Sequence, residues 1–150
     1  MAVTFSNTAQ VGFSKSSAYD AHRPSYNATS VQVLLEQCRI AGKKGAKLLD
    51  LAAGTGKFTE LLAAREEEFE IVAVEPHDGM REVLAGKNLS RVKVLKGSAE
   101  ELELEDESVD AVIAAQVCRF RLYFILPFHQ ITIWSLCGQI VKATVLSLPP

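Results

Sequence analysis

Cysteine is scarce in this sequence: Cys38, Cys118 and Cys137 are the only three among 150 residues, and none shows CxxC spacing. An odd, scattered set makes neither a disulfide framework nor a zinc site, and it suits a reducing compartment. Long basic runs are also missing. With 16 Lys+Arg against 18 Asp+Glu, the formal charge of -2 argues against nucleic acid or an anionic membrane as partner. The opening stretch MAVTFSNTAQ lacks the charged and apolar regions of a secretory signal, so a cytoplasmic location is expected. The acidic clusters Glu66-Glu67-Glu68 and 100–107 have no metal geometry. They are expected to face solvent, with no metal bound.

Acids are absent altogether from one region. All 18 lie before position 117, so residues 1–116 carry 13 Lys+Arg and a net charge of -5. Residues 117–150 hold only Arg119, Arg121 and Lys142 as charges, with five of the eleven aromatics. Residues 122–141 form a charge-free run of 20, long enough in principle to cross a bilayer. Pro127, His129, Gln130, Gly138 and Gln139 interrupt it, so no transmembrane helix is expected.

What is present is an ordinary apolar content, 48%, in a chain about one domain long. Val31, Leu34, Leu35 and Cys38 recur at helical spacing, with Asn27 or Ser30 as a cap and Gly42 as a stop. Residues 46–53 read as a buried strand closing at Gly54-Thr55-Gly56, and 57–64 as a helix through Phe58, Leu61 and Leu62. A second strand (69–74), a helix (77–85), a third strand (92–95) and a fourth (109–115) follow. This alternation predicts an α/β fold with a parallel sheet covered by helices on both faces. Ligands of such sheets bind outside the carboxyl ends of the strands, where the chain order reverses.

The first strand end carries Asp50 and two glycines at i and i+2, which permit a tight turn and close approach to a ligand. Glu75 ends the second strand 21 residues after Gly54, where an acid can accept hydrogen bonds from ribose hydroxyls. The third glycine of a GxGxxG dinucleotide turn is lacking, since position 59 is Thr59. Asp50 would also sit badly beside a diphosphate. A nicotinamide-dependent oxidoreductase is therefore disfavoured, and a zwitterionic nucleoside fits better.

These residues carry a resemblance. LLDLAAGTGKFT, IVAVEPHDGM, VKVLKGSAEEL and ESVDAVIAAQ resemble, in order and spacing, the first four motifs of class I S-adenosylmethionine-dependent methyltransferases. The likeness is strongest to the methyltransferase type 11 group, and within it to small-molecule enzymes of the trans-aconitate methyltransferase kind. It implies a Rossmann-like doubly wound parallel sheet, S-adenosyl-L-methionine as cofactor and a small-molecule acceptor. Asp50, Gly54 and Gly56 would hold the methionine moiety, Glu75 the ribose, and Pro76 would flank the adenine. Ser98 and Ala99 would lie along the adenine, and Gln116 would face the methyl donor and acceptor. Relatives often have aspartate where Ser98 stands, and Glu100 is a substitute for that contact. Tyr19, Arg23, Pro24 and Tyr26 resemble a YxxxRPxY lid segment, which places Tyr19 and Arg23 near the cofactor's carboxylate.

The methyl donor of this family is already activated, so a carboxylate acceptor attacking in line needs no general base, and no catalytic residue stands out. The expected organisation is a lid segment (1–27), a partial methyltransferase domain (28–116) and a tail (117–150) that departs from the family. The family's sheet has seven strands, so the resemblance implies an incomplete sheet of order 3-2-1-4 with the fourth strand as an exposed edge. The tail is expected to stem from an unspliced intron or a misplaced exon boundary, because Val117-Cys118 can be encoded by GTATGT, which resembles a donor splice site. Sequencing the transcript across the Gln116 codon tests this, and impaired turnover is expected of the chain as written. The alternative is an inactive module that binds the cofactor or a partner protein.

Overall fold

The computed structural model describes residues 26–99, 102, 104 and 108–115, together with the backbones of two strands at 131–134 and 143–146. In chain order the elements are α1 (Ala28–Gln37), β1 (Lys47–Leu51), α2 (Lys57–Ala63), β2 (Glu70–Val74), α3 (Asp78–Gly86), β3 (Val92–Leu95), β4 (Ala111–Ala115), β5 (Ile131–Trp134) and β6 (Ala143–Leu146).

Local chemistry sets the limits of α1. Asn27 caps it by accepting the Thr29 N–H at 2.8 Å. Its end comes at Gln37, well before Gly42, because Arg39 turns left-handed at φ 57°. The Arg39 N–H then bonds the Glu36 carbonyl at 2.9 Å and the Ile40 N–H bonds that of Leu35 at 3.0 Å. That pair is a Schellman closure, built here without glycine, and buried Ile40 anchors it.

The strands form one sheet of order β3-β2-β1-β4-β5-β6. The first four pair in parallel, as expected, with β1 in the middle between β2 and β4. Such a strand is buried on both faces and reads as a continuous apolar run, and Leu48 to Leu51 are all buried. The expectation that β4 would be an exposed edge is corrected. β5 pairs with it in parallel and β6 closes the sheet antiparallel to β5, so residues from the acid-free region satisfy the outer hydrogen bonds of β4.

Side-chain alternation divides the core. Leu48, Ile71, Ala111 and Ile113 meet α1 and α2 through Val31, Leu34, Leu35, Phe58 and Leu62. Tyr26 joins this layer edge-on to Phe58, with ring centres 5.1 Å apart. On the other face Leu49, Leu51, Val74, Val112 and Ala114 pack under Ala99, Leu102, Leu104 and Val109. Among the described residues no helix is long and apolar enough to cross a membrane. The sheet thus presents the carboxyl ends of β1, β2 and β3 side by side, with the order reversing between β1 and β4.

Candidate functional site

The chain leaves β1 through three left-handed residues: Ala52 at φ 57°, Gly54 at 61° and Gly56 at 82°. Gly56 is required twice over. Its φ disfavours any side chain, and an added Cβ would stand 2.2 Å from Leu84 Cδ1 of α3. The left-handed turn at Gly54 brings its N–H to Glu75 Oε2 at 2.8 Å. The other oxygen of Glu75, Oε1, accepts the His77 N–H at 2.8 Å. One carboxylate therefore ties the glycine turn after β1 to the chain entering α3.

His77 is buried. It caps α3, with Nδ1 accepting the Met80 N–H at 3.2 Å. Accepting there places the ring proton of the neutral form on Nε2. Arg81 braces the same turn from within α3, donating to the Glu75 carbonyl at 3.1 Å and pairing with Asp78. Pro76 is half-buried between these groups.

Asp50 is 1% exposed and its neighbours in register, Ala73 and Ile113, are apolar. One oxygen, Oδ2, accepts the Thr59 hydroxyl at 2.6 Å. The other, Oδ1, is buried without a hydrogen-bond partner among the described residues. Burial pushes the carboxyl up to about 7; the Thr59 hydroxyl opposes this and the charge of Glu75 adds to it. Burial likewise raises Glu75, offset by the two N–H donors from His77 and Gly54. Two buried carboxylates side by side repel a diphosphate and welcome hydroxyl or ammonium donors.

The structure thus brings together Asp50, Gly54, Gly56, Glu75 and Pro76. Ser98 and Ala99 follow β3, both half-buried, and Ala99 packs against the core layer that includes Leu49 and Leu51. Tyr19, Arg23, Gln116 and Glu100 lie outside the described residues. Sequence reasoning missed the part of Thr59, noted only as a departure from glycine. The signal was available: a hydroxyl on the first turn of the helix after Gly56 can reach back to the strand residue that precedes the turn. Among the described residues no three His, Cys, Asp or Glu side chains cluster as a metal site.

Residues 48–123 match the family described as Methyltransferase domain. The chain is 41% identical over 99 residues to an uncharacterized methyltransferase of Mycobacterium tuberculosis, an alignment covering 66% of this chain and 37% of that protein. It is 37% identical over 83 residues to the malonyl-[acyl-carrier protein] O-methyltransferase of Methylococcus capsulatus, covering 54% of this chain and 30% of that one. The chain therefore spans 37% and 30% of the length of these two relatives. The fold is shared with a SAM-dependent methyltransferase of Aquifex aeolicus, with a TM-score of 0.56 at 19% identity over 80% of this chain and 71% of that one.

Proposed function

The chain belongs to the methyltransferase domain family, and from that premise we propose that it binds S-adenosyl-L-methionine at the carboxyl ends of β1 to β3 and serves methyl transfer to a small carboxylic acid. The observation that carries this reading is the buried pair at the strand ends. Glu75 clamps the glycine turn through Gly54, and Asp50 keeps one carboxylate oxygen without a donor. A zwitterionic nucleoside has donors for both positions, ribose hydroxyls for Glu75 and an ammonium for Asp50.

The fit extends to the turn itself. A Cβ at Gly54 would meet no atom nearer than Met80 Sδ at 3.9 Å, so the backbone there can be approached closely. The missing Cβ of Gly56 makes room for Leu84 of α3, and Thr59 replaces the glycine on which a dinucleotide turn relies. When bound, the cofactor supplies a methyl group on an already activated sulfonium. The chain's own residues then have to orient donor and acceptor and exclude water, which is worth up to about 7–11 kcal/mol in well-oriented cases. Ser98, Ala99 and Pro76 are assigned to the adenine side, Gln116 to the acceptor side, and Tyr19 and Arg23 to a lid over the cofactor's carboxylate.

A carboxylate acceptor is favoured because the described part of the site supplies no general base directed at an acceptor, and a pre-ionised oxygen needs none. The relative that modifies a malonyl group through oxygen supports the same class. Calorimetry with S-adenosylhomocysteine tests the binding half: micromolar affinity is expected, lost in Glu75→Ala, and no binding by folded protein refutes the reading. Labelled methyl transfer to a panel of di- and tricarboxylic acids tests the acceptor. Transfer to amines or phenols alone would overturn the carboxylate class.

A further inference from the structure

We propose that Thr59 is a positioning residue for Asp50: its buried hydroxyl fixes one carboxylate oxygen and reserves the other for the ligand, so that capture of an ammonium-bearing nucleoside displaces a proton from Asp50. The inference rests on the reading of the site as one for S-adenosylmethionine, and it adds a residue and a proton that this reading does not require.

The geometry leads there in three steps. Thr59 is 0% exposed and its hydroxyl lies 2.6 Å from Asp50 Oδ2, so Oδ2 is fully engaged. Oδ1 has no donor among the described residues, and a buried carboxylate oxygen in that position is stabilised by a proton on the group or by a donor brought in from outside. Among the described residues no cation acts on Asp50. Its register neighbours are Ala73 and Ile113, and the facing charge at the end of β2 is the carboxylate of Glu75. On the α3 side the Arg81 guanidinium and the His77 backbone N–H act on Glu75, and Cys38, which closes α1, is buried in the core layer that holds Leu48.

Proton and ligand therefore compete for one oxygen. With the Asp50 carboxyl near 7, about half of the molecules carry the proton at pH 7, and ammonium binding releases it. Affinity for the ammonium ligand should rise with pH up to about 7 and level off above, falling about tenfold per unit on the acid side. Removing the hydroxyl of Thr59 takes away the one interaction favouring the charged form, so the midpoint moves up.

The test is calorimetry on the full chain in two buffers of different ionisation enthalpy at pH 7, with S-adenosylhomocysteine and with 5′-methylthioadenosine, which has no amino-acid part. Wild type is expected to release about half a proton with the first ligand and none with the second. Thr59→Val should shift the pH midpoint for S-adenosylhomocysteine upward by about one unit and weaken its binding at pH 7 about fivefold, with methylthioadenosine unaffected. Thr59→Ser should restore the wild-type midpoint, which a merely structural contact would not produce. Failure of wild type to bind either nucleoside sinks the cofactor reading itself. Binding of both with equal, pH-independent proton release leaves that reading intact and overturns this one. The wild-type comparison of the two ligands stands even if Thr59→Val does not fold.

Discussion

The two ends of the sheet both gather buried or half-buried carboxylates, and they treat them in opposite ways. At the amino ends of the strands Glu67 accepts both arms of Arg65, at 2.7 and 3.0 Å, plus the Gly42 N–H at 3.3 Å. The Arg65 hydrogen bonds hold its carboxyl down at about 2. At the carboxyl ends Asp50 has a neutral hydroxyl on one oxygen, nothing on the other and a second acid nearby, and it stands near 7. A carboxylate with cationic partners is finished structure. One left short of donors, at a strand end, is held ready for something else.

The largest break in that comparison comes from Glu75, which belongs to both categories. It is buried at the ligand end, yet its two oxygens serve backbone donors. Glu75→Ala leaves the Gly54 and His77 N–H groups without acceptors, at a cost of about 1–3 kcal/mol each. Thermal unfolding should show a loss of about 2–4 kcal/mol along with the loss of nucleoside binding. A melting temperature equal to wild type would mean that the clamp contributes nothing. Gly56→Ala should cost a comparable amount through the clash with Leu84, and a smaller residue at 84 should recover part of it.

Asp50→Asn sharpens the difference by sign. A carboxyl whose folded value is raised above its unfolded value binds its proton more tightly in the native state. Stability is then greatest below about 4 and falls as pH climbs towards 7, by up to about 1.4 kcal/mol per unit. Asparagine keeps an acceptor for Thr59 and abolishes the charge, so denaturant unfolding should lose most of that decline and give a variant more stable than wild type at pH 8. Its affinity for S-adenosylhomocysteine should fall. A variant less stable than wild type at pH 8 would contradict the account.

Glu67 runs the other way. Its lowered carboxyl contributes stability above about 4.5 that disappears as pH falls towards 2. Arg65→Gln should therefore cost about 1–2 kcal/mol at pH 7 and almost nothing at pH 2, in the same denaturant series. This acid was expected to face solvent with its neighbours, and it does not. Its side chain is only 10% exposed, against 24% for Arg65, because the bidentate pair closes over the turn that leads into β2.

That correction illustrates what a linear reading can reach. The parallel sheet followed from alternating periods, its order β3-β2-β1-β4 from the family resemblance, and Asp50, Gly54 and Gly56 from the turn after β1. Those signals are local. The roles of Thr59, His77 and Glu67 depend on which groups the fold brings within hydrogen-bond reach, and nothing in the spacing distinguishes the half-buried Glu67 from the exposed Glu66 beside it. β5 and β6 were invisible for another reason: the acid-free region reads as an apolar tail, and only the unsatisfied edge of β4 explains why two short pieces of it would pair there.

The smallest effect tests whether proximity of opposite charges is enough to make the amino end a finished structure. Glu68 pairs with both Lys44 at 3.0 Å and Arg91 at 2.9 Å, but Lys44 is 75% exposed and Arg91 47%. Exposed pairs give back most of their Coulomb energy to water and side-chain entropy, and salt screens the remainder. Lys44→Ala is accordingly expected to leave the melting temperature unchanged, in low salt and high salt alike, although the carboxyl of Glu68 is lowered by the same pair. If Lys44→Ala destabilised the fold as much as Arg65→Gln, charge alone would account for the amino end. The distinction drawn from burial and bidentate geometry would then have to be given up.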